Sequence, residues 1–261
     1  TMSKIGKALS KAKQESVLLE RNAAGKILEV SPPHHEPNFQ QTLTQKPRQN
    51  HLERNRVLNS IKDQHVVDAY NLLRTQILQK TAATKQNTIM VTSPGPGEGK
   101  TTTAINLGLS LARSEQYTAL VVDMNLRSPK LHEYLDMKCS RGVTDHFLDG
   151  VPIPELLTSP DEKSFVILPS GSCLQGSTEI ISSRTMKGFV QDLKSRYPDR
   201  YVLFDCPHLL NMPDSLVFLK YVDAILLIIE ADKTTYEELQ KTLGILEGHT
   251  ILGLVLNKTR Q

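Results

Sequence analysis

The stretch that decides the fold is Thr88-Ile89-Met90-Val91-Thr92-Ser93-Pro94-Gly95-Pro96-Gly97-Glu98-Gly99-Lys100-Thr101-Thr102. It passes from an apolar run through a turn rich in glycine and proline into a segment with helical character. Gly95, Gly97 and Gly99 allow the backbone to turn its N–H groups inward around an anion. A helix that begins near Lys100 would direct the positive end of its dipole at the same point. The stretch therefore predicts a strand, a phosphate-binding loop and a helix.

Two side chains beside the glycines have the chemistry that a nucleotide requires. The Lys100 ammonium can reach the β- and γ-phosphates, and the Thr101 hydroxyl can ligate Mg²⁺. A strict Walker A sequence has glycine six residues before the lysine, but Pro94 holds that position here. The loop nevertheless supplies the same physical elements. We predict ATP and Mg²⁺ as cofactors, and nucleotide binding by Gly95, Pro96, Gly97, Glu98, Gly99, Lys100, Thr101 and Thr102.

Further apolar runs follow the loop and alternate with helical stretches. They lie at residues 119–123, 165–169, 201–205, 224–229 and 251–256. Short continuous apolar runs are typical of strands that are buried on both faces of a parallel sheet. The alternation predicts an α/β fold with a doubly wound, mostly parallel sheet in a three-layer arrangement. Its ligand should lie beyond the carboxyl ends of the strands.

Two of these runs end in an aspartate, Asp123 and Asp205. Each aspartate alone could be a helix cap or a turn carboxylate. Because the carboxyl ends of parallel strands meet at one edge of a sheet, we expect both carboxylates near the metal and the γ-phosphate. We therefore predict Lys100, Asp123 and Asp205 as catalytic residues, and Thr101, Asp123 and Asp205 as metal ligands.

Composition excludes several classes of protein. The net charge of +3 is too small to indicate a nucleic-acid partner. The three cysteines are scattered and form no CxxC pair, so neither zinc nor a disulfide framework is indicated. No apolar run approaches the roughly 18 residues needed to cross a bilayer. The opening residues also lack the apolar stretch of a signal peptide. These features predict a cytoplasmic protein.

The first quarter of the chain differs from the rest in charge and composition. Residues 1–64 contain 11 basic and 6 acidic residues, against 20 and 22 in the remainder. Residues 1–20 predict a basic amphipathic helix, either packed on its own domain or available to a partner or membrane surface. Residues 21–64, rich in Pro, His and Gln, predict a flexible linker. Residues 65–261 predict the nucleotide-binding domain.

At these motifs the chain resembles the bacterial tyrosine kinases of capsule and exopolysaccharide systems. The family's Pro-Gly-Glu-Gly-Lys-Thr loop is matched by residues 96–101. Its Asp-x-Asp-x-Arg motif is met from Asp123 to Arg127, except at the middle acid. Its Walker B motif matches Asp205-Cys206-Pro207. The similarity extends from about residue 66 to 258. The opening residues 2–12 resemble the subgroup of exopolysaccharide and exosortase (PEP-CTERM) loci.

The resemblance implies a P-loop NTPase fold like that of MinD and ParA, and transfer of phosphoryl from ATP to a tyrosine hydroxyl. It implies that Lys100 stabilises the transferring phosphoryl group and that Thr101 and Asp205 hold Mg²⁺. Asp123 would orient or deprotonate the acceptor. Arg127 and Asn257 would join the nucleotide site, with Asn257 facing the adenine.

The resemblance also implies partners and a location. The activating partner would be the cytosolic tail of a membrane polysaccharide co-polymerase, which would recruit the protein to the inner face of the membrane. A protein with an accessible tyrosine would be the substrate. A homo-oligomer is compatible with the resemblance, and no nucleic acid is expected.

Three positions depart from the family pattern. Asn125 replaces the second acid of the Asp-x-Asp-x-Arg motif, and a carboxamide cannot act as a base. The oligomerisation motif Glu-x-x-Arg-x-x-Arg reads Asp68-x-x-Asn71-x-x-Arg74 here, so one arginine is missing. The last tyrosine is Tyr236, and no tyrosine cluster follows it.

Two alternatives therefore stand beside a tyrosine kinase. The first is a nucleotide-binding scaffold with weak or no chemistry, which Asn125 favours. The second is a regulatory ATPase like the cell-division and partition ATPases. Those proteins place a second lysine early in the phosphate loop, where this chain has Gly95.

Overall fold

The computed structural model describes residues 19–21, 27–29, 42–114, 116–160 and 164–259. The helix expected over residues 1–20 is wrong at its last two positions, which begin a strand, and it stays a prediction for the residues outside these ranges. The chain divides into two units, residues 1–37 and 38–261. In the first unit, the backbone of β1 (Leu19–Arg21) pairs antiparallel with that of β2 (Ile27–Glu29).

The second unit is built on an eight-stranded sheet with the order β10-β9-β4-β8-β5-β7-β6-β3. Every neighbouring pair is parallel except β6 with β7. The strands are β3 (Leu43–Thr44), β4 (Thr88–Thr92), β5 (Thr118–Asp123), β6 (Thr158–Ser159), β7 (Phe165–Leu168), β8 (Arg200–Asp205), β9 (Ala224–Glu230) and β10 (Ile251–Asn257). This topology confirms the predicted doubly wound, mostly parallel α/β fold.

Helices cover both faces of this sheet. They are α1 (Gln49–Arg54), α2 (Gln64–Thr81), α3 (Lys100–Ala112), α4 (Leu131–Tyr134), α5 (Val143–Asp149), α6 (Ile153–Leu156), α7 (Ser177–Ser182), α8 (Arg184–Ser195), α9 (Pro213–Phe218) and α10 (Tyr236–Ile245). Alternate residues of β5 enter two separate cores: Leu120 packs in one core with Phe189 of α8, and Val121 packs in the other with Ile105 of α3. The result is a three-layer arrangement. Among the helices of the described residues, none is both long and apolar enough to cross a membrane.

Residues 42–64 differ from the flexible linker expected there. Three apolar side chains in this segment are buried with 8% or less exposure: Leu52, Val57 and Leu58. The Leu58 N–H donates to Asn106 Oδ1 of α3 at 2.8 Å. The few apolar residues of this segment are separated by polar ones. The local composition therefore did not indicate that the segment packs against a helix that is distant in the sequence. The packed domain therefore begins well before residue 65.

Helix α2 carries the altered oligomerisation motif, and two of its residues point into the same chain. Asn71 Oδ1 accepts a hydrogen bond from Ser110 Oγ of α3 at 3.2 Å. Arg74 Nη1 donates to the Ser110 carbonyl at 2.7 Å. Both side chains therefore stabilise the packing of α2 on α3.

Candidate active site

The loop between β4 and α3 (residues 93–99) has a backbone that glycine makes possible. Gly97 and Gly99 have φ angles of 75° and 98°, in the left-handed region that favours glycine. At Gly99 a Cβ atom would lie 2.0 Å from Asn257 Nδ2, so a side chain there would displace the Asn257 amide from the Glu98 carbonyl. The loop leads directly into the first turn of α3, where Lys100, Thr101 and Thr102 lie.

Three consecutive carbonyls of this loop are held by side chains that follow or end β9 and β10. The Pro96 carbonyl accepts from Lys233 Nζ at 3.0 Å, the Gly97 carbonyl from Lys258 Nζ at 2.8 Å, and the Glu98 carbonyl from Asn257 Nδ2 at 2.9 Å. We call Lys233, Asn257 and Lys258 the carbonyl anchor. In a trans peptide the N–H points away from the preceding C=O. The carbonyl anchor therefore turns the following amides toward the opposite side of the loop.

Acidic side chains complete this arrangement. The Glu230 carboxylate bridges the two lysines, at 2.9 Å from Lys233 Nζ and 3.0 Å from Lys258 Nζ. Glu98 is 2% exposed, and its Oε1 accepts from Thr234 Oγ1 at 2.7 Å. The Glu98 carboxylate thus faces Thr234. Nucleotide binding by Glu98 stays a prediction.

Lys100 is held close to the loop from which it extends. Its Nζ donates to Ser93 Oγ at 3.0 Å. Burial lowers the pKa of Lys100, while the Asp205 and Glu98 carboxylates partly offset this effect. The ammonium is thus positioned beside the loop where a phosphate would need a counter-charge.

The two predicted aspartates lie side by side at the carboxyl edge of the sheet. Asp123 and Asp205 are paired in the register between β5 and β8. Asp205 Oδ2 accepts from Thr101 Oγ1 at 2.7 Å, whereas Asp205 Oδ1 is buried and has no hydrogen-bond partner among the described residues. Burial raises the pKa of Asp205, against the hydrogen bond from Thr101 and the charge of Lys100.

Asp123 is fully buried and holds the loop that follows β5. Its Oδ1 accepts from the Asn125 N–H, and its Oδ2 accepts from the Lys130 and Leu131 N–H groups, all at 3.1 Å. Burial and the neighbouring charge of Asp205 raise the pKa of Asp123, although the three backbone hydrogen bonds lower it. The carboxylate is thus fixed in orientation and has a raised proton affinity.

These groups fit a magnesium ion. Thr101, Asp123 and Asp205 offer only oxygen ligands, which Mg²⁺ prefers, and Asp205 Oδ1 is a buried oxygen without a partner among the described residues. Within the same part of the chain, no cluster of three or more His, Cys, Asp or Glu side chains has metal-binding geometry. Among the described residues, side chains of these four types therefore do not form a complete metal site by themselves. Mg²⁺ is commonly bound by one or two carboxylates together with substrate phosphates.

The Arg127 side chain makes its described hydrogen bonds away from the phosphate loop. Its guanidinium contacts both oxygens of Asp214, each at 3.1 Å. It also donates to Ser177 Oγ at 3.0 Å and Thr178 Oγ1 at 2.9 Å. The described hydrogen bonds of Arg127 thus join the β5 loop to α7 and α9, and none of them reaches the phosphate loop. A nucleotide contact by Arg127 stays a prediction, as does an adenine contact by Asn257.

Sequence reasoning missed several residues that contact the loop. No local sequence motif marks Lys233, Glu230 or Lys258 as part of the site, although Lys258 stands next to the predicted Asn257. His208 also lies in this region, since the following residues, Leu209 and Leu210, donate their N–H groups to the Ser93 and Pro94 carbonyls at 2.8 and 3.2 Å. Burial and the charge of Lys100 lower the pKa of His208.

A parallel sheet whose central strand runs through a glycine loop into a helix, with acidic residues at the ends of two neighbouring strands, defines a P-loop nucleotide-binding protein. The model of the CobQ/CobB/MinD/ParA nucleotide-binding domain matches residues 89–261. The chain belongs to this family.

Several relatives of the chain are tyrosine kinases. It is 29% identical over 192 residues to tyrosine-protein kinase YwqD of Bacillus subtilis, covering 73% of this chain and 80% of YwqD. It is 29% identical over 191 residues to tyrosine-protein kinase CpsD of Streptococcus pneumoniae serotype 4, covering 72% and 82%.

Solved structures agree with these relatives. The VpsO kinase domain superposes with a TM-score of 0.67 at 28% identity, covering 76% of this chain and 98% of that domain. MinD of Pyrococcus horikoshii with Mg-ADP gives a TM-score of 0.55 at 22% identity, covering 65% and 69%. The kinase domain is thus the better match of the two.

Proposed function

We propose that the chain is a protein-tyrosine kinase that uses Mg-ATP and acts in exopolysaccharide production. The observation that carries the proposal is the hydrogen bond from Thr101 to Asp205 beneath the glycine loop, with Asp123 in register on the next strand. Relatives named tyrosine-protein kinases, which match about three quarters of the chain, support the choice of reaction.

In this proposal a tyrosine phenol oxygen attacks the γ-phosphorus of ATP. The bond from that phosphorus to the β,γ-bridging oxygen breaks, ADP leaves, and the phenolic proton passes to Asp123. The loop amides and the Lys100 ammonium stabilise the charge on the phosphoryl oxygens, which is the main task of such sites. Bound Mg²⁺, held by Thr101 and Asp205, would supply charge neutralisation across the β- and γ-phosphates.

Two alternatives have support of their own. The likeness to MinD favours a regulatory ATPase, in which water takes the place of the tyrosine hydroxyl. Asn125, which replaces an acid of the kinase motif, favours a nucleotide-binding scaffold. These alternatives differ from the kinase in what becomes of the γ-phosphate.

The decisive experiment incubates the purified chain with Mg-ATP and a random glutamate–tyrosine copolymer. Phosphotyrosine on the copolymer is expected with the natural chain and not with Lys100→Ala, while Lys187→Ala, which removes an exposed lysine of α8, serves as the charge-matched control. Free phosphate without phosphotyrosine would favour the ATPase. Tight ATP binding with neither product would favour the scaffold.

The proposal extends to a membrane partner. We expect the cytosolic tail of a polysaccharide co-polymerase to activate the chain and to recruit it from the cytoplasm to the inner face of the membrane. Kinase assays with and without peptides from such a tail would test this step, and unchanged activity with every peptide would contradict it.

A further inference from the structure

The seven tyrosines of the chain all lie within the described residues and differ in exposure. Tyr236 is 75% exposed. Tyr201 is 6% exposed, and its hydroxyl is hydrogen-bonded to Thr81 Oγ1 at 2.7 Å. The other five are half-buried: Tyr70, Tyr117, Tyr134, Tyr197 and Tyr221. A kinase acceptor must present its phenol oxygen in line with a γ-phosphate, so Tyr236 is the tyrosine best presented for phosphorylation.

Tyr236 also follows a segment that binds the phosphate loop. Lys233 Nζ donates to the Pro96 carbonyl, and Thr234 Oγ1 donates to Glu98 Oε1. Tyr236 begins α10 two residues after Thr234. Tyr236 and the phosphate loop therefore lie at the same carboxyl edge of the sheet.

The backbone around Tyr236 is fixed. Thr235 caps α10 and forms a reciprocal capping box with Glu238. The Tyr236 hydroxyl accepts from Gln240 Nε2 at 2.8 Å, one turn further along the helix. A side chain that is held on the surface of a capped helix is presented outward, toward another molecule. This geometry favours transfer by a second copy of the chain.

We propose that Tyr236 is a phosphorylation site of this chain, modified by a second copy; the inference rests on the proposed kinase function. The Tyr236 phenol oxygen of one copy attacks the γ-phosphorus of ATP bound to the other. The bond from that phosphorus to the β,γ-bridging oxygen breaks and ADP leaves. The phenolic proton passes to Asp123 of the copy that holds the ATP.

A phosphate group on Tyr236 would suit the position of this residue at the start of α10. A phosphotyrosine carries a charge near −2 at neutral pH. The amino end of a helix carries a partial positive charge, which favours an anion in the first turn. Glu237 opposes this effect, but it already pairs with Lys241 at 2.8 Å.

The test mixes the natural chain, as donor, with a larger tagged Lys100→Ala chain, as acceptor, in Mg-ATP. Peptide mass spectrometry of the tagged chain should find phosphate at Tyr236. Adding Tyr236→Phe to the tagged chain should abolish its phosphotyrosine signal, whereas adding Tyr197→Phe should leave it unchanged. Thermal melts of each acceptor check that it folds.

A parallel reaction with the glutamate–tyrosine copolymer separates the two proposals. Phosphorylated copolymer together with an unmodified Tyr236, or with a signal that survives Tyr236→Phe, would overturn the assignment of Tyr236 and leave the kinase function standing. Phosphate at Tyr236 of the natural chain but never on the tagged acceptor would overturn transfer between copies. No phosphotyrosine on either the copolymer or the chain would refute the kinase function, and this inference with it.

Discussion

Only one of the two carboxylate oxygens of Asp205 has a hydrogen-bond partner among the described residues. Its Oδ2 accepts from Thr101, while Oδ1 is buried without a partner in the described part of the chain. An unsatisfied buried polar atom costs about 1–3 kcal/mol. Asp205 therefore destabilises the metal-free protein, and a cation next to Oδ1 would relieve that cost.

Replacing Asp205 with asparagine should separate ligand binding from stability. We expect Asp205→Asn to lose the thermal stabilisation that Mg-ATP gives the natural chain, because the amide carries no charge for the metal. Without metal, its melting temperature should not fall, because a buried charge beside Asp123 has been removed. Differential scanning calorimetry with Mg-ATP and with EDTA measures both effects.

Asp192→Asn is the matched control, since Asp192 pairs with Arg196 on the exposed side of α8. It should keep the full response to Mg-ATP. A full response in Asp205→Asn as well would contradict the assignment of Asp205 as a metal ligand.

Arg127 has a structural role, because it pairs with a buried carboxylate. Its partner Asp214 has a fully buried side chain, and Ser177 and Thr178 donate to the same carboxylate. Burial raises the pKa of Asp214, but the hydrogen bonds from Arg127, Ser177 and Thr178 outweigh burial and leave the pKa below its ordinary value.

We expect Arg127→Met to lower the free energy of unfolding by about 2 kcal/mol, because it leaves a buried carboxylate without its cation. Arg127 is itself one third exposed, so the loss should be smaller than for a fully buried pair. Urea denaturation measures the change. Arg196→Met, which breaks the exposed pair with Asp192, should cost at most about 0.5 kcal/mol. Equal losses in the two variants would argue against a structural role for Arg127.

At the scale of elements, the carbonyl anchor joins the ends of β9 and β10 to the glycine loop. Each of its three side chains binds one loop carbonyl, and Glu230 holds both lysines. These bonds fix the loop backbone from the side opposite its amides, in a conformation that we propose is ready to bind nucleotide. Preorganisation of this kind contributes to affinity because less ordering remains to be done on binding.

Lys258→Met should therefore weaken Mg-ATP binding about tenfold, the value of one charge-assisted hydrogen bond. Lys258→Arg should restore most of the affinity, because it keeps a cationic donor. Isothermal titration calorimetry measures the dissociation constants. Lys241→Met is the control, since Lys241 pairs with exposed Glu237 on α10. A lower melting temperature with unchanged affinity would show that Lys258 stabilises the fold without positioning the loop.

The sequence predicted the elements around the site well, because their signals are local. All six predicted strands are present, since an apolar run buried on both faces is recognisable in a short window. Contacts between distant segments could not be read in this way. The bonds from Lys258 to Gly97 and from Arg127 to Asp214 span 161 and 87 residues. The packing of residues 42–64 was missed for the same reason.

At the scale of the whole molecule, the paired aspartates link the site to overall stability. Burial raises the pKa values of Asp123 and Asp205 above the value near 3.9 of an unfolded chain. The folded protein therefore holds more protons than the unfolded chain as pH rises above about 4. The stabilising effect of these protons is complete below that pH and is lost as pH rises through the folded pKa values.

We therefore expect the contribution of the aspartate pair to the free energy of unfolding of the metal-free protein to fall between about pH 5 and 8, with the lowered pKa of His208 opposing part of this fall. Urea denaturation in EDTA across this range measures the slope. Asp123→Asn should flatten the slope, because one member of the pair no longer titrates. An identical slope in the natural chain and in Asp123→Asn would refute this link.

The outermost strand β3 has a mechanical consequence. It is two residues long, and the N–H groups of Leu43 and of Gln45, which follows the strand, donate to the Leu157 and Ser159 carbonyls at 3.2 and 2.9 Å. A force on the preceding chain would peel these bonds one at a time and would then meet the bidentate pair of Arg48 with Asp136. Tension on the amino-terminal side should therefore break the contacts of β3 at the edge of the sheet first, while β4, β5 and β8 keep their register.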